Sequence, residues 1–470
     1  MTVKFALPAG DSRAAIASML EAAGVATRGY EPGSRQLRNI LEEAGLTLRA
    51  FREKDIPIQV ALGNYDLGIC SDVWLRELQA RFPQQRIVPL GSLPGARDEV
   101  WLCAAPGAGL SEGQVPGGQA LAGARIVSEL PNLADVVCMH LRIPAYRLLP
   151  VYGSADAYPP EDADLVVMAA ANAAAVREKG LVPLHRVFEG GTALIANADS
   201  LVERDLAPVL SRLSPLLAAE QPALSLPAIS TGVSIARAER DTSVLRLALP
   251  DGHAQRFTPA ALLEAGLQFE GYDAKAFIRR PLSDIPGLAV KVVRPQDMPQ
   301  LVAMGLFDLA VTGRDLLHEH LCRFPGSPAV MAIDLGRNRY RIGPVVDAAF
   351  PAETTLEAVA IWNALGRPVR IASEFPATAE KFARDHHLAY TTIIPVAGAS
   401  EGFVPEDADV LIEGSETGAS IRANGLKMLD PFMESTNCVI IRREPVTTRT
   451  ELLGELLAKL RTAAAAAMVG

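Results

Sequence analysis

The sequence predicts an α/β fold built as two tandem copies of one bilobed domain. Two observations carry this prediction. The first is a repeat at a spacing of about 240 residues: residues 5–10 (FALPAG) match 247–252 (LALPDG), and 53–57 (EKDIP) match 295–299 (PQDMP). Residues 65–69 (YDLGI) match 307–311 (FDLAV), 125–131 (RIVSELP) match 370–376 (RIASEFP), and PEDAD occurs at both 160–164 and 405–409. The second is an alternation of short apolar runs with helical stretches. Residues 3–7 read as a strand, 13–23 as a helix and 46–51 as a strand. Residues 55–62 read as a helix opened by an acid with a proline in its first turn, and 67–70 as a short buried strand. Such alternation argues for layers around a parallel or mixed sheet.

Further along, residues 100–104 are answered by 339–345, and each run gives way to a Pro/Gly-containing stretch that reads as a crossing into a second lobe. That lobe spans about 125–176 in one copy and 370–421 in the other, and the chain returns through 183–196 and 427–442. The predicted division is an N-terminal copy at 1–210 (lobe I 1–104 and 180–210, lobe II 105–179), a linker at 211–243, and a C-terminal copy at 244–449 (lobe I 244–344 and 425–449, lobe II 345–424). The linker is rich in Pro, Ala and Ser, with a short helix expected around Leu213, Leu216 and Leu217 and an extended piece at 222–227. An amphipathic, then Ala-rich, helical tail closes the chain at 450–470.

Composition narrows the function classes. The chain has 470 residues, 49% hydrophobic and 21% charged, as expected of a globular protein of several domains. A net charge of −9, without a Lys/Arg cluster, offers no field for nucleic acid. No apolar run approaches the roughly 18 residues of a membrane span, and the short apolar N-terminus does not read as a signal peptide. The five cysteines are scattered without metal-type spacing, so a reduced, cytoplasmic setting with thiols as apolar fillers is expected. His318/His320 and His386/His387 are too poorly spaced for chelation and read as surface residues.

The stretch 412–421 (IEGSETGASI) carries the chemistry. It follows the apolar Val410-Leu411 and leads into helix formers, so it reads as strand, loop, helix. Free N–H groups at a helix start beside the Thr417 and Ser420 hydroxyls suit a phosphate. Gly414 and Gly418 let the backbone approach a ligand. Glu413 and Glu416 next to an anion site make sense if they hold sugar hydroxyls or a bridging Mg²⁺. A phosphorylated sugar satisfies all of these, and a plain capped strand-to-helix turn is the competing reading.

With Ala408-Asp409 before it and residues 423–426 (ANGL) after it, this loop resembles the phosphoribosyl-pyrophosphate loop of the ATP phosphoribosyltransferase family. That loop typically reads A-D-A-I-x-D-L-V-E-T-G-x-T-L-x-x-N-G-L, with Glu413 here standing for Asp, Ser420 for Thr and Ile421 for Leu. Residues 294–299 (RPQDMP) resemble the family's R-x-K-D-I-P segment, and 307–315 (FDLAVTGRD) its D-L-G-I-T-G-x-D segment. The resemblance covers the C-terminal copy well and the N-terminal copy more loosely. It implies a periplasmic-binding-protein-type II-like bilobed domain with substrate in the cleft, and condensation of ATP with phosphoribosyl pyrophosphate, the first step of histidine biosynthesis. Mg²⁺ is implied as a cofactor carried on the pyrophosphate, with Glu413 as its one candidate protein contact. Glu413 and Glu416 are the implied catalytic residues. Gly414, Ser415, Thr417, Gly418, Ala419 and Ser420 are the implied phosphate cradle, with Arg294 and Asp315 as further substrate contacts. Asp315 also suits a helix N-cap.

The copies differ at this loop. The N-terminal copy reads MAAANAAA at 168–175, without acid or hydroxyl; alanine favours helix, so the helix is expected to start early there, and no productive sugar binding is expected. Both copies also lack the lysine of the family's K-G-R-L first loop, leaving Arg13 and Arg256 as candidate substitutes. Gln296 stands where the family has lysine, while the N-terminal copy keeps Arg52 and Lys54 and adds Arg35 and Arg38. The tail is too short for the regulatory domain of long family members. An internal pseudo-dimer, further homo-oligomerisation and a histidyl-tRNA-synthetase-like partner subunit are the implied assembly. The rival function is a non-catalytic nucleotide- or phosphosugar-binding regulatory paralogue; a solute-binding protein of the same fold fits less well.

Overall fold

The structure, a computed structural model, describes residues 2–34, 36–41, 44–218 and 222–469. In the N-terminal copy, Val3–Pro8 lies between Leu46–Phe51 and Leu67–Ser71, all parallel. In the C-terminal copy, Leu245–Pro250 lies between Leu288–Val293 and Leu309–Gly313 in the same sense. These strands are covered on both faces, which is why they read as near-continuous apolar runs. The helices Ile56–Ala61 and Met298–Ala303 each carry proline in the first turn, where its missing N–H is harmless. A second parallel ladder forms the other lobe. It joins Arg125–Ser128 to Arg147–Pro150 and Leu165–Ala170, and is repeated by Val369–Ser373 with Thr391–Pro395 and Val410–Ser415. This is the bilobed arrangement of type II periplasmic binding proteins, present twice.

The copies join their lobes differently. In the N-terminal copy the long strands Ile87–Ala104 and Val182–Asn197 pair along their length, with register breaks, and weld both lobes into one nine-stranded sheet. In the C-terminal copy the lobes keep separate five- and six-stranded sheets. There the outgoing path breaks between Ala329–Asp334 and Tyr340–Asp347, and the return path is interrupted around Asp430-Pro431, where proline offers no N–H to a ladder. The crossings therefore do not fall where composition placed them. Tyr340–Asp347 already pairs with the second-lobe strand Val410–Ser415, and Met433–Ser435 still does so with Tyr340–Asp347, so lobe II runs from about 340 to 435 rather than from 345 to 424. In the N-terminal copy, residues 99–104 pair with Leu165–Ala170, so the crossing precedes residue 104.

The alanine-rich stretch is a second correction. Met168 and Ala170 complete the strand Leu165–Ala170, opposite Trp101 and Glu99, and the helix starts only at Ala173. Sheet pairing overrides alanine's helix propensity, and the Asn172 side chain caps the helix by accepting the Ala175 N–H. The helix Ala207–Leu213 runs from the end of the N-terminal copy into the linker and is followed by a 3₁₀ turn at Ser214–Leu216. The linker then lies along the N-terminal copy's second lobe, where Ser225, Ser230 and Ala236 N–H groups donate to Val187, Val115 and Ala108 carbonyls. The terminal helix Thr450–Val469 buries Leu453, Leu456 and Leu460 in the C-terminal copy's first-lobe core.

The copies pack reciprocally, lobe I of each against lobe II of the other. One core joins Phe51, Ile56 and Tyr65 to Phe403, Val404 and Leu411, and its counterpart joins Val151, Ala157 and Tyr158 to Val293, Met298 and Phe307. Matching ion networks flank them. Arg38 and Arg49 meet Glu406, while Arg280 and Lys291 meet Glu161, and Lys291 with Arg246 closes on buried Asp162. Tyr65 donates to Asp407 at 2.6 Å. The Ala397 N–H donates to Asp55 at 2.9 Å, and at the equivalent place the Tyr152 N–H donates to Asp297 at 3.1 Å. Such reciprocity is the mark of a two-fold interface, here built within one chain.

Candidate active site

A cavity of about 640 Å³ opens between the lobes of the C-terminal copy. The end of Val410–Ser415 places Glu413, Gly414, Ser415 and Glu416 in its wall. Arg294, after Leu288–Val293, and Asp315, in the first turn of Arg314–Arg323, face them from the other lobe. Six of the predicted site residues thus converge. Gly414 is needed for space, since a Cβ there would lie 2.8 Å from the Tyr340 ring.

The phosphate cradle is placed less simply. Thr417, Gly418, Ala419 and Ser420 sit at the cleft rim, outside the cavity wall, with Thr417, Ala419 and Ser420 exposed. Gly418 adopts a left-handed φ of 70° at the start of Ala419–Ala423. Its N–H donates to Ser415 Oγ at 2.9 Å, the Ala419 N–H to Thr417 Oγ1 at 3.3 Å, and Ser420 Oγ donates to Glu401. The Ser415 and Thr417 hydroxyls are spent on capping the loop and that of Ser420 on Glu401, so a phosphate there would displace bonds already made.

The electrostatics of the cleft are acidic. Ser400 Oγ donates to Glu413, whose own-loop Gly414 N–H donates to its other oxygen at 2.9 Å. Walled in at the cleft floor yet still meeting cleft solvent, Glu413 has its pKa pushed up to about 8, first by burial and then by the Glu374 carboxylate. Glu374, exposed as a residue but with its carboxyl crowded by surrounding protein, is raised as well, partly offset by Arg52 and Lys54 of the N-terminal copy. Asp315 accepts from Ser435 Oγ at 2.7 Å; it is buried and tied across the cleft's base instead of capping its helix. Arg294 is held at 3.2 Å by Asp251, which also takes Arg279 at 3.3 Å. Among the described residues no group of three or more acids, histidines or cysteines is placed to hold a metal ion.

Several expectations are corrected here. Arg13 is no triphosphate ligand: it is buried and donates to the carbonyls of Gly29, Tyr30, Ser34 and Gln36. Arg256 is exposed beside the first loop but outside the cavity wall. Arg38 is committed to Glu406, and Arg35 lies outside the described residues. His318 and His320 are half-buried, bonded to Thr378 and Ser327, and not plain surface residues. All five cysteines are free. Sequence reasoning missed Asp251 as a counter-ion, Glu319, Glu374 and Tyr152. The first three stood inside matched repeat segments or beside them, whereas nothing in the sequence placed Tyr152 of the N-terminal copy in the other copy's cleft.

Fold and cleft together define an α/β protein whose bilobed domain is doubled within one chain, with an interlobe cavity in the C-terminal copy. The sequence pattern of ATP phosphoribosyltransferase matches it twice, over residues 52–215 and 294–462, and the chain belongs to that family. It is similar to the ATP phosphoribosyltransferase of Deinococcus radiodurans, 28% identical over 224 residues, covering 47% of this chain and 92% of that one. The enzyme of Methanothermobacter thermautotrophicus is 30% identical over 200 residues, covering 42% of this chain and 65% of its own. Among solved structures, the ATP phosphoribosyl transferase (HisG:HisZ) complex from Thermotoga maritima is similar at 22% identity and a TM-score of 0.38, over 47% of this chain and 98% of that one. No helix among the described residues is long and apolar enough to cross a membrane.

Proposed function

We propose that the C-terminal copy condenses ATP with phosphoribosyl pyrophosphate, and that the N-terminal copy is a degenerate partner. The observation that carries this reading is the asymmetry of one loop: Glu413, Gly414, Ser415 and Glu416 line the cleft, where the N-terminal copy has Met168 and alanines. In this reaction N1 of the adenine attacks C1 of the ribose while pyrophosphate departs. Positive charge grows on the ribose and negative charge on the leaving group, so positioning and electrostatics supply the catalysis. Glu416 and Glu413 face the sugar hydroxyls, Arg294 the pyrophosphate, and the Thr417–Ser420 rim the 5′-phosphate. A polyanion that arrives with Mg²⁺ brings its own charge neutralisation; Glu416 would reach that ion through water, while Glu413, neutral below about pH 8, would hold a sugar hydroxyl. Cytoplasmic action and an accessory subunit like the one in the Thermotoga complex belong to the same proposal.

Purified protein with ATP, phosphoribosyl pyrophosphate and Mg²⁺ should form product, followed by ultraviolet absorbance. The double variant Glu416→Ala/Thr417→Ala should lose it by at least a hundredfold, while Asn172→Ala changes it by less than twofold. Full activity in the double variant rejects the assignment. A second reading, a binding-only regulatory paralogue, is favoured by Asp251, which neutralises Arg294 from a first loop that lacks the family's lysine. Calorimetry that shows binding without turnover, with and without an accessory subunit, would establish it.

A further inference from the structure

We propose that Tyr152, supplied by the N-terminal copy, is the platform on which the planar base of the nucleotide stacks in the C-terminal copy's cleft. The proposal rests on the functional reading above and names a specificity residue that reading does not contain.

Tyr152 is 61% exposed, and it lines the cavity together with Arg294, Glu319 and Glu374. Its placement does not depend on its side chain, because its backbone N–H donates to both Asp297 oxygens, at 3.1 and 3.2 Å. On one face of the ring stands Lys54 Nζ, 5.5 Å from the centroid. A tyrosine this exposed, with a cation near one face, keeps π-surface free for a ligand, and purine rings stack on such surfaces with little regard to sequence or substituent.

The other phenyl rings in the cavity wall are less open than Tyr152: Phe324 is 44% exposed, and Tyr340 and Phe375 are half-buried. Tyr340 packs its ring edge against Gly414. Phe324 is shared with Arg323 at 5.3 Å and the His320 ring at 5.2 Å. Phe375 is half-buried at the start of its helix.

A second asymmetry points the same way. Ala397 is the pseudo-symmetric counterpart of Tyr152, its N–H bonded to Asp55 as that of Tyr152 is to Asp297. The backbone is therefore duplicated, but the ring is present at only one of the two places. The cleft that kept the acid–hydroxyl loop is also the one that receives an aromatic surface from its neighbour.

The test is equilibrium binding of ATP, and separately of inorganic tripolyphosphate and phosphoribosyl pyrophosphate, to the full chain, to Tyr152→Phe and to Tyr152→Ala. The expected result is a loss of ATP affinity of about five- to a hundredfold in Tyr152→Ala, with less than a twofold change for the two base-free ligands. Tyr152→Phe, which keeps the ring, should bind ATP within about twofold of the parent. Equal losses for ATP and tripolyphosphate, or no loss of ATP affinity, overturn the proposal while leaving the functional reading intact. If the parent chain binds neither ATP nor phosphoribosyl pyrophosphate, the functional reading falls and this proposal falls with it.

Discussion

Glu413 shows how little of a residue's role its identity determines. A carboxyl whose folded pKa sits near 8, above its ordinary 4.5, is neutral over most of the physiological range and adds a charge to the cleft only as pH passes 8. Beside Glu374 and Glu416, that new charge repels a polyphosphate. Affinity for phosphoribosyl pyrophosphate, measured by calorimetry at fixed Mg²⁺ between pH 6.5 and 9, should therefore fall several-fold above pH 8. Glu413→Gln should remove the fall. Glu413 was legible because glycines, acids and hydroxyls crowd the end of an apolar run, a pattern with few uses. Asp251 and Tyr152 were not, because their partners Arg294 and Asp297 are far away in sequence and meet them only through packing.

At the scale of elements, one carboxylate ties the two lobes through a helix N-terminus. Glu319, on Arg314–Arg323 of the first lobe, accepts the N–H groups of Ala377 and Thr378 at 2.9 and 2.8 Å, at the start of Pro376–Asp385 in the second. Orphan donors at a helix N-terminus and a carboxylate make a favourable pair. Glu77 does the same for Asn132 and Leu133 in the N-terminal copy. Only the C-terminal contact bridges lobes with separate sheets, so Glu319→Ala should raise amide exchange about tenfold or more across 376–379 and the lobe crossings. Glu77→Ala should raise it only locally, at 131–134. Strands and helices themselves were readable from apolar runs and from proline in first turns. The lobe crossings were not: whether a strand ends at residue 104 or continues depends on what pairs beside it, and alanine composition at 168–175 was outvoted by that same pairing.

For the whole molecule, the interface between copies carries its own titration. Asp55 and Asp297 both have pKa values raised to about 7, chiefly by burial, although each accepts a backbone N–H from the other copy. Their unfolded values lie near 3.8, so between about pH 4 and 7 the folded chain holds protons that the unfolded chain has released. Their contribution to stability is therefore greatest at the acid end of that window and declines as pH rises through 7. Urea midpoints of Asp55→Asn/Asp297→Asn should be flatter than those of the parent over this range, since asparagine keeps an acceptor without the charge. The duplication was plain from matched segments, but the reciprocal docking was not, because PEDAD and EKDIP look alike whether they face each other or solvent.

The unbroken nine-stranded sheet of the N-terminal copy has a mechanical meaning. Each lobe of the C-terminal copy leans on one end of that sheet, through the cores around Phe403 and Phe307. One continuous sheet thus underlies two separately built lobes and sets the spacing between them. The half of the chain whose loop turned to alanines serves the other half as a calliper, holding the width of its cleft.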